Sequence, residues 1–167
     1  MSESAPGAEP RLVRVGVAEY EVATGDVVLS TSGLGSCLGI ALHDRSAGVG
    51  GLLHAMLPAA AEGREAHTPA KYVDTGVADL LSTMVATGAE PGRLRAKLVG
   101  GSRMLDFSDE AGRIGDRNAE AAEAALSETD VAVVARDVGG SHGRSVRLDV
   151  SSGDLHVRTV TDGESVI

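Results

Sequence analysis

The stretch Gly35-Ser36-Cys37-Leu38-Gly39-Ile40-Ala41-Leu42-His43 is followed by Gly50-Gly51-Leu52-Leu53-His54-Ala55-Met56-Leu57-Pro58, with Arg45-Ser46-Ala47-Gly48 between them. Two short apolar runs bounded by turn residues read as a β-hairpin, with strands over 37–43 and 49–57. If Ser46 and Ala47 form a two-residue turn, Arg45 pairs with Gly48 and Cys37 falls opposite Met56. His54 is then the diagonal neighbour of Cys37 on the same face, about 7–8 Å away at Cα. A turn longer by two residues would place the pair directly opposite, and a slip of one residue would send the two side chains to opposite faces.

A thiol with an imidazole in reach is the minimum equipment for nucleophilic attack on an acyl carbon. A lone cysteine is most often a small buried hydrophobe, and a lone histidine in an apolar strand is most often a satisfied core residue. Gly33, Gly35 and Ser36 set this cysteine apart. They predict a tight, irregular backbone. Such a backbone points the thiol outward and leaves N–H groups for an oxyanion.

The remaining composition narrows the class. At 167 residues the chain forms one domain able to bury a core. Hydrophobic residues make up 43% but aromatics only 2%, so the core must be built from Val, Leu, Ala and Ile. The net charge of −9 repels phosphate backbones and argues against nucleic-acid binding. Lys71 and Lys97 are the only lysines, a composition that fits either a high-salt cytoplasm or an ordinary acidic protein. No apolar run approaches the roughly 20 residues of a membrane span. The first residues lack a signal-peptide pattern, and a single cysteine excludes an internal disulfide, so a cytoplasmic protein without membrane insertion is expected.

Along the chain, residues 1–10 read as a disordered tail and 11–167 as the folded domain. Arg11–Tyr20 alternates as one strand, and Val27–Ser30 is a short strand running into a loop over 31–36. Residues 59–68 read as a mobile connection that either borders the site or merely links elements. A helix is expected over 70–87 and a second over 119–126, opened by Gly115-Asp116-Arg117-Asn118. Leu94–Val99 and Val131–Ala135 read as strands. Val146–Val150 and Leu155–Val160 form a closing hairpin. Locally paired strands with intervening helices predict an α/β fold, a mixed-sheet sandwich flanked by helices. Gly100-Gly101 and Gly139-Gly140 fit neither phosphate-binding fingerprint and read as tight turns. His43, His67, His142 and His156 show no metal-ligand spacing, so neither metal nor cofactor is expected.

Several ordered segments together carry a resemblance: Leu34-Gly35-Ser36-Cys37, Gly50–Pro58, Lys71-Tyr72-Val73-Asp74, Ala96–Met104, Ile114–Asn118, and Asp137-Val138-Gly139-Gly140 with Gly143-Arg144. Over about residues 11–160 the chain resembles the CheD family, the chemoreceptor glutamine deamidases of chemotaxis. The resemblance implies an α/β sandwich and a deamidase domain over 11–167. It implies a nucleophile at Cys37, its histidine at His54 and a third site member at Thr31. Thr31 would orient His54 or, alternatively, only cap a turn. The implied substrates are glutamine side chains of methyl-accepting chemoreceptors, and the implied partner is a CheC-type phosphatase. Asp116 departs from the family, where many members carry Glu. A second reading from another class is a non-catalytic regulator of that phosphatase.

Overall fold

A computed structural model describes residues 9–60, 68–103 and 113–167. The expectations for 1–8 and for most of 59–68 fall outside these residues. The elements are β1 (Arg11–Arg14), β2 (Glu19–Thr24), β3 (Val27–Leu34), β4 (Leu38–Asp44), β5 (Val49–Ala55), α1 (Val73–Ala86), β6 (Arg95–Gly100), α2 (Ile114–Glu128), β7 (Ala132–Val138), β8 (Arg144–Asp149), β9 (Leu155–Thr159) and β10 (Gly163–Val166). They build three layers. One sheet, here sheet A, has the order β1-β3-β8-β9-β10; the other, sheet B, has the order β2-β5-β4-β6-β7. The helices α1 and α2 pack on sheet B. The β1–β3 and β6–β7 pairs are parallel and the others antiparallel, so the mixed α/β sandwich expected from the sequence is what forms.

Sheet B is the middle layer, and its central strands show it. Every residue of β4 and β5 is buried. A strand covered on both faces needs apolar residues at successive positions rather than alternate ones. Leu38, Ile40, Leu42, Leu53 and Ala55 belong to one cluster with Val73, Val77, Leu80 and Met84 of α1 and Ala122 and Leu126 of α2. Ala41 and Leu52 point the other way, into a cluster with Leu29, Val146, Leu148, Leu155 and Val157 of sheet A. Burying one such leucine contributes about 1.5–3 kcal/mol before the opposing entropy is counted. At Gly51 a Cβ would lie 2.8 Å from Leu80 Cδ1, so the missing side chain is what lets α1 approach β5.

The β4–β5 register matches the hairpin reading: Asp44 pairs with Val49 and Leu38 with Ala55. Elsewhere the chain departs from expectation. Arg11–Tyr20 is two strands in two different sheets rather than one. The chain crosses between them at 15–18, where Ala18 takes a left-handed φ of 61°. Alternating residues flank the crossing on both sides, which hid it. β3 runs on to Leu34 through a bulge between Thr31 and Leu34, so Thr31 lies in a strand and not in a loop. The first helix is split into a 3-10 turn, Pro69–Lys71, and α1, because Tyr72 between them is extended. β10 was not anticipated, since all four of its residues are exposed and carry no apolar pattern.

Candidate active site

Sheet parity puts three side chains in one place. On β4 and β5 the residues facing sheet A are the ones in phase with Ala41 and Leu52. Cys37, one residue before β4, keeps the phase of Ala41, and His54 keeps the phase of Leu52. Cys37 does pack against the between-sheet cluster. Thr31 of β3 faces them from sheet A, in phase with Val27 and Leu29. The thiol is half-buried, whereas Thr31 and His54 are buried.

Thr31 and His54 touch: Thr31 Oγ1 lies 2.7 Å from His54 Nδ1. The same hydroxyl donates to the backbone carbonyl of Val15 at 2.8 Å. A hydroxyl has one proton. A carbonyl can only accept, so that proton is committed to Val15, and the contact with His54 must be donated by Nδ1–H. The imidazole is thereby held as the Nδ1–H tautomer, with an unprotonated Nε2. Nε2 is buried and has no hydrogen-bond partner among the described residues. It makes no hydrogen bond to the thiol. Catalytic contacts commonly tighten only in the bound complex.

The electrostatics favour a neutral pair. Burial pushes the Cys37 thiol above its ordinary value, and its own backbone N–H draws it back in part. Burial pushes the His54 imidazole below its ordinary value. Desolvation disfavours the charged form of each group. The resting site is therefore thiol and neutral imidazole rather than thiolate and imidazolium.

The loop around Cys37 is held by its carbonyls. Gly35 O accepts from Ser102 N and Cys37 O from Gly101 N, both at 2.9 Å. Ser36 O accepts from Asn118 Nδ2 at 2.9 Å. Among the described residues the N–H groups of Ser36 and Cys37 have no acceptor outside their own residues, so they remain available to an incoming oxygen. Gly100-Gly101, read from the sequence as a plain tight turn, forms the backstop. Gly100 has φ 112°, and a Cβ there would collide with the Cys37 carbonyl. Arg144 braces this turn from β8, donating to Ser102 Oγ and Gly139 O at 2.8 Å each and pairing with Asp137 at 3.1 Å.

Asn118 is a further member of this arrangement. It is fully buried on α2, and its Nδ2 donates both to Ser36 O and, at 3.0 Å, to Met56 O. One amide thus ties the Cys37 loop to the end of the strand that carries His54. The two carbonyls fix which end of the amide faces them, and Oδ1 is left buried without a partner among the described residues. A sequence signal existed: Asn118, Ala122 and Leu126 recur at a spacing of four on the buried stripe, where a polar residue is out of place. Among the described residues no group of His, Cys, Asp or Glu is arranged to hold a metal ion.

A thiol at the start of β4, a tautomer-locked imidazole and nearby backbone N–H groups are the kinds of group that cysteine-dependent acyl transfer requires. Comparison with known proteins narrows that class. A family model described as CheD chemotactic sensory transduction matches residues 56–159. A probable chemoreceptor glutamine deamidase CheD of Haloarcula marismortui is 45% identical over 158 residues, covering 95% of this chain and 91% of the relative. Its counterpart in Pyrococcus horikoshii is 46% identical over 155 residues, covering 92% and 96%. Among solved structures, a Neisseria meningitidis protein of the DUF152 family model aligns with TM-score 0.46 and 14% identity over 79% of this chain and 63% of its own. The chain belongs to the CheD family. The matched family segment begins after both Cys37 and His54, whereas the alignments to the relatives cover more than nine-tenths of the chain.

Proposed function

We propose that the chain is a chemoreceptor glutamine deamidase acting in the cytoplasm, with Cys37 as nucleophile, His54 as base and acid, and Thr31 as the residue that orients His54. The observation that carries this reading is the hydroxyl relay Val15–Thr31–His54, which leaves Nε2 free on the face that Cys37 shares. A module that only binds partners has no use for a buried imidazole locked in one tautomer.

The chemistry follows from these positions. As Cys37 Sγ attacks the glutamine carboxamide carbon, its proton passes to His54 Nε2 and the carbonyl π electrons move to oxygen. The free N–H groups of Cys37 and Ser36 stabilise that oxyanion. Nε2–H then protonates the amide nitrogen, the C–N bond breaks and ammonia leaves. Water adds to the thioester while Nε2 takes its proton. The C–S bond breaks, the proton returns to sulfur, and glutamate is released. The neutral resting pair makes this a general-base-assisted attack rather than attack by a preformed thiolate.

The CheC-type phosphatase implied by the family resemblance would compete for the receptor surface. Its addition raises the apparent KM for receptor and leaves kcat unchanged. The direct test of the reading is the intact mass of a chemoreceptor cytoplasmic fragment after incubation with the protein. Each deamidated glutamine adds about 1 Da, an amide NH2 replaced by OH. No mass gain with the native chain, or an undiminished gain with Cys37→Ala, overturns the reading.

A further inference from the structure

The outer face of sheet A is not the face on which α1 and α2 pack, and a groove of about 610 Å³ lies on it. Strand register sets out its contents. Arg14 pairs with Ser30, Ser30 with Arg147, and Arg147 with His156, so these four form one cross-strand row. Arg158 lies two residues beyond His156 on the same face, beside Ser145. Glu164 serves two of these groups, lying 3.6 Å from Arg147 and 3.5 Å from His156. Arg14 faces no acid within ion-pair range among the described residues, and Glu164, although opposite Arg158 in the β9–β10 register, is turned to Arg147 and His156. Elsewhere Arg93, Arg103, Arg136 and Arg144 each face an acid, and Arg95 donates to the backbone carbonyls of Gly92 and Leu94.

The groove is basic in a chain of net charge −9. Acidic side chains are abundant, yet this concave face gathers three guanidinium groups, Arg14, Arg147 and Arg158, against the single carboxylate of Glu164. Like charges on neighbouring positions of a sheet repel, and the repulsion is relieved when an anionic partner covers them. The floor between them carries hydroxyls, Ser30 and Ser145, and the groove reaches Val15 and Thr31, the two residues behind His54.

We propose that this groove grips an acidic segment of the same polypeptide whose glutamine is presented to Cys37, with Arg14 and Arg158 pairing to its carboxylates. The inference deepens the deamidase reading and rests on it. Guanidinium groups suit this task because their planar fork meets a carboxylate with two parallel hydrogen bonds. The charge row also attracts an acidic chain before contact, which assists encounter and register. Thr31 joins the two functions, since it lines the groove and holds the base.

The test uses two labelled glutamine peptides, one flanked by glutamates and one in which serines replace them, titrated by fluorescence anisotropy against the full chain carrying Cys37→Ala. The glutamate peptide binds about three- to tenfold more tightly, the yield of a few exposed ion pairs, and the difference shrinks as salt is raised. The double variant Arg14→Glu, Arg158→Glu reverses the order and prefers a lysine-flanked peptide, an outcome that a misfolded variant would not give. Equal binding of the two peptides, or retention of the acidic preference after charge reversal, overturns the proposal. So does displacement of both peptides alike by inorganic phosphate, which marks a phosphate site instead. Mass gain of the serine peptide with the native chain reports deamidation separately, because it does not depend on the flanks.

Discussion

At the scale of single residues, the fate of one hydroxyl proton decides what His54 can do. Thr31 gives that proton to Val15 and so receives the one on Nδ1. Thr31→Val keeps the shape but removes both bonds and frees the tautomer. Loss of one buried partner is worth about 1–3 kcal/mol, so kcat falls by about 10- to 100-fold, and Thr31→Ser restores most of it. A role in turn capping alone would leave kcat unchanged in both variants. The neutral pair makes a second forecast. Because burial lowers the imidazole's proton affinity, the acidic limb of kcat/KM lies below the ordinary histidine value. Because burial raises the thiol, iodoacetamide labels Cys37 more slowly than a free cysteine at neutral pH. A thiol whose proton affinity was lowered by its surroundings would instead be labelled faster. Cys37 and His54 were legible because a two-residue turn fixes their phase. The relay behind them was not. It depends on the carbonyl of Val15, in a segment whose crossing between sheets leaves no trace in the alternation of valines.

At the scale of elements, the site is assembled where α2 meets the ends of two strands. Asn118 is the joint, with one amide on Ser36 O and Met56 O. Asn118→Ala leaves two buried carbonyls without their donor and destabilises the fold by about 1–3 kcal/mol, read from the urea midpoint, while kcat drops more than KM changes. Asn118→Asp is the sharper variant. It sets carboxylate oxygens against two carbonyl oxygens, so it should be less stable than the alanine variant at neutral pH and recover as acid protonates the carboxyl. An aspartate variant as stable as native would show that the joint carries no load. The hairpin register and both helices were readable from apolar runs and turn residues. The role of Gly100 was not, because close approach to the Cys37 carbonyl involves a strand distant in sequence.

At the scale of the molecule, Asp44 fastens the β4–β5 hairpin to the connection between α1 and β6. Its side chain is wholly inaccessible and accepts from Ala47 N, Glu90 N and the Arg93 guanidinium. The Arg93 hydrogen bond, against an opposing contribution from burial, holds its carboxyl at about 2, compared with about 3.9 in an open chain. Between those values the unfolded chain binds more protons than the folded one. The stabilisation is therefore complete above the unfolded value and is lost as pH falls toward the folded one. Asp44→Asn should lower Tm at neutral pH and flatten its decline in acid, as followed by calorimetry. An unchanged acid profile would remove Asp44 from the account.

The site lies on the seam between the two sheets, with Cys37 and His54 on one side and the Thr31 hydroxyl on the other. Ammonia release is therefore a gauge of how the sheets are docked. With one Phe, two Tyr and no Trp in the chain, optical probes of its interior are faint. Under mild denaturant, turnover should fade before the strands melt, and the enzyme's own reaction becomes the most sensitive reporter of its inner order.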